Sequence, residues 1–130
     1  MEEDLFGFEK LLVWKLARKF KQEIIRVTNL LPGEEKYRLK DQFVRSSRSI
    51  NALIAEGYGR FSYPDQIHFC IQARGSLNEL VNHLIDMYDE KFISEDELKQ
   101  LNLTAKQIER LLNGYIIFLR NKKTALLKPL

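Results

Sequence analysis

Four stretches of the chain repeat apolar residues at the three-and-four spacing of an amphipathic helix, with short polar links between them. In the first, Val13, Ala17, Phe20, Ile24, Val27 and Leu31 form one seam, while Lys15, Arg18, Lys19, Gln22 and Arg26 share another face. Leu31-Pro32-Gly33 should end it, because proline restricts the residue before it and glycine suits the turn. The second stretch turns Leu39, Phe43, Ser47, Ile50 and Ile54 inward. Arg38, Asp41, Arg45 and Arg48 fall on its outer face, with Asp41 and Arg45 spaced for an i,i+4 ion pair. Gly57 and Gly59 should close it.

The third stretch opens at Ser62, with Asp65 at capping-box spacing and Pro64 in the first turn. Its seam reads Ile67, Cys70 or Ile71, Arg74, Leu77, Val81, Leu84 and Tyr88. Lys91-Phe92-Ile93 forms a short turn, and Ser94 with Glu97 repeats the capping box. The fourth stretch steps through Leu98, Leu101, Ala105, Ile108, Leu112, Tyr115 and Leu119. From Gly114 onward GYIIFL is apolar around much of the circumference, more than one neighbouring helix can cover. Leu126 and Leu127, in the tail TALLKPL, would fray unless they dock on a neighbour.

These patterns predict an all-α protein: one domain over residues 1–130, folded as an antiparallel up-down-up-down four-helix bundle. The helices are expected at approximately 10–31, 37–58, 63–90 and 94–122. With only 3 prolines and 6 glycines, the composition suits a chain that is almost wholly helical. No run of about 18 apolar residues is present, so no membrane association is expected. The acidic start MEEDLFGF lacks the basic flank of a secretory leader, and the single cysteine, Cys70, excludes an internal disulfide. A cytoplasmic location is expected.

Dividing the charge along the chain changes its meaning. The net charge is +3, yet residues 1–9 carry −4, residues 10–60 carry +7, and residues 61–130 balance. The positive charge of the first half favours an anionic partner, although solvated helix faces account for the same residues. The nucleic-acid candidates are Lys15, Arg18, Lys19 and Arg26 on the first helix and Arg38, Lys40, Arg45 and Arg48 on the second. No base-reading motif accompanies them. Several subunits brought together would multiply so modest a patch.

Catalytic and metal chemistry finds little support. A di-metal bundle site needs a Glu-x-x-His pair on each of two helices, whereas Glu79 and His83 are one residue too far apart and stand alone. His68 and His83 lie about 22 Å apart along one helix, so they share no ion. Cys70 sits on an apolar stripe without an activating histidine. No metal, cofactor or catalytic residue is therefore assigned. Arg74 falls near the core side, where a guanidinium must be paired; Glu56 is the best partner by antiparallel geometry and Glu79 the alternative. Gly75 and Ser76 beside it would let helices approach closely.

FEKLLVWKLARKF near the start, DQFVRSSRSINALIAEGYGR in the middle and ARGSLNEL afterwards resemble the bacterial four-helix-bundle proteins of the 23S rRNA intervening-sequence group. The similarity runs from about Phe8 to Arg120, and Arg45, Ser49, Ile54, Ala55, Glu56, Gly57, Arg74, Gly75 and Glu79 match the pattern. Asn51 and Leu53 depart from it: many relatives carry proline or cysteine at the first and asparagine just before the Ile/Leu-Ala-Glu-Gly run. The resemblance implies a homopentameric ring of bundles and no established enzymatic activity. A related group of bundle proteins serves diversity-generating retroelements, where a basic pentamer binds nucleic acid and a reverse transcriptase. Glu56, Gly57, Arg74, Gly75 and Glu79 are then expected to be structural or interface residues, and the partners to be other copies of the chain and RNA or an RNA-handling protein. The competing expectations are a scaffold homo-oligomer with no nucleic-acid role, and an enzyme built on Glu56 and Arg74.

Overall fold

The computed structural model describes residues 4–127, apart from the side chains of residues 35, 36 and 123–127. It is all-α: α1 spans Leu12–Asn29, α2 Glu35–Tyr58, α3 Tyr63–Asp89 and α4 Glu95–Leu127, with a 3-10 turn at Gly7–Lys10 before them. No strand occurs among the described residues.

Local chemistry explains most of the boundaries. α1 begins later than expected because Lys10 belongs to the 3-10 turn and Leu11 is extended. It ends earlier because the Leu30 N–H bonds the carbonyls of Val27 and Thr28, tightening the last turn ahead of Pro32. At α3, the Asp65 N–H donates to Ser62 Oγ over 3.3 Å. The α4 box closes in both directions, Glu97 N to Ser94 Oγ and Ser94 N to Glu97 Oε1, each at 3.1 Å. α4 continues through Leu127, beyond the expected end at 122, and the expected docking of Leu126 and Leu127 lies outside the described side chains.

Between α3 and α4, Phe92 N donates to Met87 O and Lys91 N to Tyr88 O, both at 2.9 Å, the paired bonds of a Schellman closure. That closure puts Lys91 at φ 66, a left-handed conformation that disfavours a β-carbon. Lys91→Gly is expected to stabilise the protein by about 1 kcal/mol, read as a higher urea midpoint with unchanged slope.

α1 packs against α2 and α4, and α3 packs against the same two. All six seam residues of α1 are buried, as are Phe43, Ser47, Ile50 and Ile54 of α2, with Leu39 half-buried. α3 is rolled by one position from the expected seam. Its core line is Ile67, Cys70, Ala73, Leu77, Leu80, Leu84 and Met87, which leaves Arg74 and Val81 half-buried and Tyr88 exposed. The roll replaces a guanidinium and a phenol by alanine and methionine in the interior, avoiding the cost of desolvating the polar groups. On α4, Ile116 replaces Tyr115 for the same reason, and Tyr115 lies at the rim.

Small residues fill the seam between α2 and α3. Ser49 Oγ and Ser76 Oγ lie 3.0 Å apart across it. A β-carbon on Gly57 would stand 2.6 Å from Phe69 Cβ, so only glycine fits this crossing. Buried Thr28, Ser46 and Ser47 each bond a carbonyl of their own helix, which satisfies the hydroxyls without a cross-link.

Candidate nucleic-acid interface

The basic residues of the first half occupy the outer faces of α1 and α2. Two cross-helix bonds set how those faces meet: Asn51 Nδ2 donates to Trp14 O over 3.2 Å, and Lys40 Nζ to Asn29 Oδ1 over 2.8 Å. Interpolating between them brings Arg18 of α1 level with Arg48 of α2. Lys15, Arg18, Lys19, Arg26, Arg38, Arg45 and Arg48 are exposed, and Lys40 is half-buried against its asparagine. The expected Asp41–Arg45 pair does not form. Lys15, Lys19, Arg26, Arg45 and Arg48 make no ion pair among the described residues, leaving their charge available to solvent or a partner.

An open groove of about 490 Å³ runs along the α1 part of this surface. Trp14, Lys15, Arg18, Lys19 and Gln22 line it from the helix, and Leu5 and Glu9 from the segment before it. The Arg18 guanidinium lies over the Trp14 ring, 5.8 Å from its centroid. Glu9 is the groove's one carboxylate, and it accepts a 2.8 Å hydrogen bond from the Phe6 N–H. The periodicity of α1 marked the cations but not this aromatic wall. The signal for it was the spacing of Phe6, Phe8 and Trp14 just ahead of the basic face.

The expected structural set is arranged differently from the geometry drawn for it. Arg74 does not meet Glu56 or Glu79: its Nη1 donates to Asn113 Oδ1 of α4 over 2.9 Å. Half-buried, it binds a neutral amide at the rim, because the roll of α3 turns it toward α4. Glu56 is exposed and pairs with Arg60 of its own helix end at 2.8 Å, while Arg60 stacks over Phe69 at 4.5 Å. Glu79 lies 3.4 Å from His83 Nε2. Gly57 is buried at the α2–α3 crossing, but Gly75 is exposed with no atom near its missing β-carbon. Close approach at Gly75 therefore occurs nowhere within this bundle.

Catalytic groups are not assembled among the described residues. Glu56 and Arg74, the pair an enzyme would use, bond different partners. His68 is exposed and bonds Gln72, and no group of metal-ligating side chains converges among the described residues. Burial pushes the Cys70 thiol up to about 11, which leaves almost no thiolate at neutral pH. Burial likewise drives the Tyr115 phenol up to about 12, with Cys70 and Tyr58 adding to the effect. Neither group is poised as a nucleophile or base.

Other exposed apolar side chains lie on α4 and α1, with exposed Gln107 and Arg110 between them on α4. Leu103, Ile117 and Phe118 of α4 and Leu12 of α1 are 63%, 57%, 52% and 65% exposed. Leu103, Arg110, Gly114 and Ile117 follow helical spacing along the outer side of α4, and nothing lies near the missing β-carbon of Gly114.

Fold and surface together define a small four-helix protein with a basic flank, several exposed apolar side chains on α4 and no assembled catalytic centre among the described residues. Residues 9–114 match the model of the 23S rRNA-intervening sequence protein family, and the chain belongs to that family. A crystal structure of a protein of unknown function from the S23 ribosomal protein family of Bacteroides thetaiotaomicron shares 25% identity with a TM-score of 0.75. The match covers 81% of this chain and 98% of that one. Comparison with curated proteins gave no match. No helix among the described residues is long and apolar enough to cross a membrane.

Proposed function

We propose that this protein is a non-enzymatic, oligomeric bundle that binds RNA or an RNA-handling partner through the outer faces of α1 and α2. In this reading the helices run up-down-up-down and antiparallel, and copies of the chain close into a pentameric ring in the cytoplasm. The observation that carries the binding assignment is the set of exposed cations on those two faces, Lys15, Lys19, Arg26, Arg45 and Arg48, which no described carboxylate neutralises. Paired contacts support the topology: along α2 and α3, Phe43 meets His83, Ser49 meets Ser76 and Gly57 meets Phe69. The exposed apolar side chains of α4 support assembly. Glu56, Gly57, Arg74, Gly75 and Glu79 serve the bundle or its seams rather than a ligand.

Replacing Arg45 and Arg48 together by alanine tests the binding face. The variant should fold normally, bind a structured RNA about tenfold more weakly at low salt, and lose about 1.4–1.8 from the slope of log affinity against log salt. An unchanged affinity and slope would remove the α2 face from the site. The second reading, a scaffold homo-oligomer without a nucleic-acid role, draws on the same apolar side chains of α4. It gains if the oligomer binds no RNA even at low salt.

A further inference from the structure

We infer that the groove beside the 3-10 turn, together with the ring row that leads out of it from Trp14 through Phe8 to Phe6, is a site for a single RNA strand, with an unpaired base stacked on Phe6 and phosphates held in the groove by Lys15, Arg18 and Lys19. This rests on the nucleic-acid reading and narrows it to one groove and one form of RNA.

The aromatic wall is continuous. Phe6 stacks on Phe8 with centroids 6.0 Å apart and rings inclined by 18°, and Phe8 meets Trp14 edge-on at 5.3 Å. Arg18 covers the Trp14 ring at the far end. At the near end Phe6 is 73% exposed, and Phe8 is the only ring stacked on it among the described residues. Folding gains nothing by holding a phenylalanine in water, whereas every base has a π-face that would cover it.

The wall is also fixed in place. The Phe6 N–H is held by Glu9, Leu11 N donates to Phe8 O over 3.1 Å, and Gly7 lies against the Tyr58 ring of α2, where a β-carbon would collide. Asn51 anchors the backbone of Trp14. A preformed platform costs little ordering on binding.

Charge selects the partner. The groove's own lining carries three cations against one carboxylate, a local excess that attracts a polyanion even though exposed Asp4 stands next to Leu5. A duplex would use only the cations, because its bases are stacked on one another, and the exposed ring would add nothing. A single strand uses both the cations and the ring.

The chain has 1 tryptophan, Trp14, so its fluorescence reports the groove directly. The probes are an oligouridylate of about 10 nucleotides and a blunt RNA duplex of the same length, titrated at several salt concentrations. The oligouridylate should change Trp14 emission and bind more tightly than the duplex. Phe6→Ala should weaken the single strand by about 5–150-fold and leave the duplex unchanged, and Phe6→Tyr should restore binding. Lys15→Ala with Lys19→Ala should weaken both probes and flatten their salt dependence. Circular dichroism checks that each variant keeps the helical content of the parent.

Equal affinity for the two probes, with Phe6→Ala indifferent, would overturn the single-strand site while leaving a phosphate-binding surface standing. Saturable single-strand binding without any change in Trp14 emission would put the strand elsewhere and overturn it as well. Failure of both probes to bind at low salt would bring down the nucleic-acid reading itself.

Discussion

Gly57→Val is expected to lower the unfolding free energy by about 2–4 kcal/mol, whereas Gly75→Ala should leave the bundle as stable as before or raise it by up to about 1 kcal/mol. Both glycines lie inside long helices, where replacing glycine ordinarily helps by restricting the unfolded chain. At Gly57 that gain is outweighed. The added carbon would stand 2.6 Å from Phe69 Cβ, and both atoms are fixed to helical backbone, so no side-chain rotation relieves the overlap. α2 and α3 would have to part along the crossing that Ser49 and Ser76 also occupy. Valine adds two further atoms and is a poorer helix former than alanine, which sets its cost above that of a single methyl. Urea titrations at fixed protein concentration measure both variants, since the proposed assembly would make apparent stability concentration-dependent. An unperturbed Gly57→Val midpoint would mean that the crossing is loose. A Gly75→Ala protein that folds but no longer assembles would put Gly75 at a contact between subunits.

Under the proposed assembly, Leu103→Glu combined with Ile117→Glu is expected to yield monomers without reducing the stability of each bundle. The two side chains are 63% and 57% exposed, so neither contributes much to its own core, and charging them costs little within one chain. Between chains the same charges would be desolvated against the neighbouring subunit, a penalty repeated at every seam of a closed ring. Light scattering of the parent and the double variant gives the answer. A parent that is already monomeric would defeat the ring, and a variant of unchanged mass would move the seam off this side of α4.

Most of the architecture was legible in the pattern of apolar residues. The six-residue seam of α1 is buried without exception, and the caps at Ser62 and Ser94 form as their spacing implies. The errors in the α3 and α4 seams share one cause. On α3 and α4 the periodicity admitted two neighbouring lines, and the reading through Arg74, Tyr88 and Tyr115 counted their hydrophobic bulk or their place in the register. The folded bundle instead buries Ala73, Met87 and Ile116, because those residues enter without a polar group to desolvate. Arg74 was rightly expected to need a partner. Which partner depended on a small roll of α3 that no one-dimensional pattern encodes, and Asn113, distant in sequence, supplies it.

The candidate site divides in the same way. Its cations were visible from composition and helical spacing, because a charged face needs only to point away from an apolar one. The groove was not visible, because it depends on a 3-10 turn that sets Leu5 and Glu9 across from Trp14, Lys15, Arg18 and Lys19, with Phe8 and Phe6 continuing the row of rings from Trp14 outside it. By itself, then, the sequence determined four helices, their caps, the apolar seams of α1 and α2 and the basic character of the first half, all consequences of local geometry and of burying hydrocarbon. Only the tertiary structure decided the roll of α3, the partner of Arg74, the contact at Gly57 and the aromatic wall beside the cations. Those depend on distances between residues far apart in the chain, which are fixed only when the helices pack.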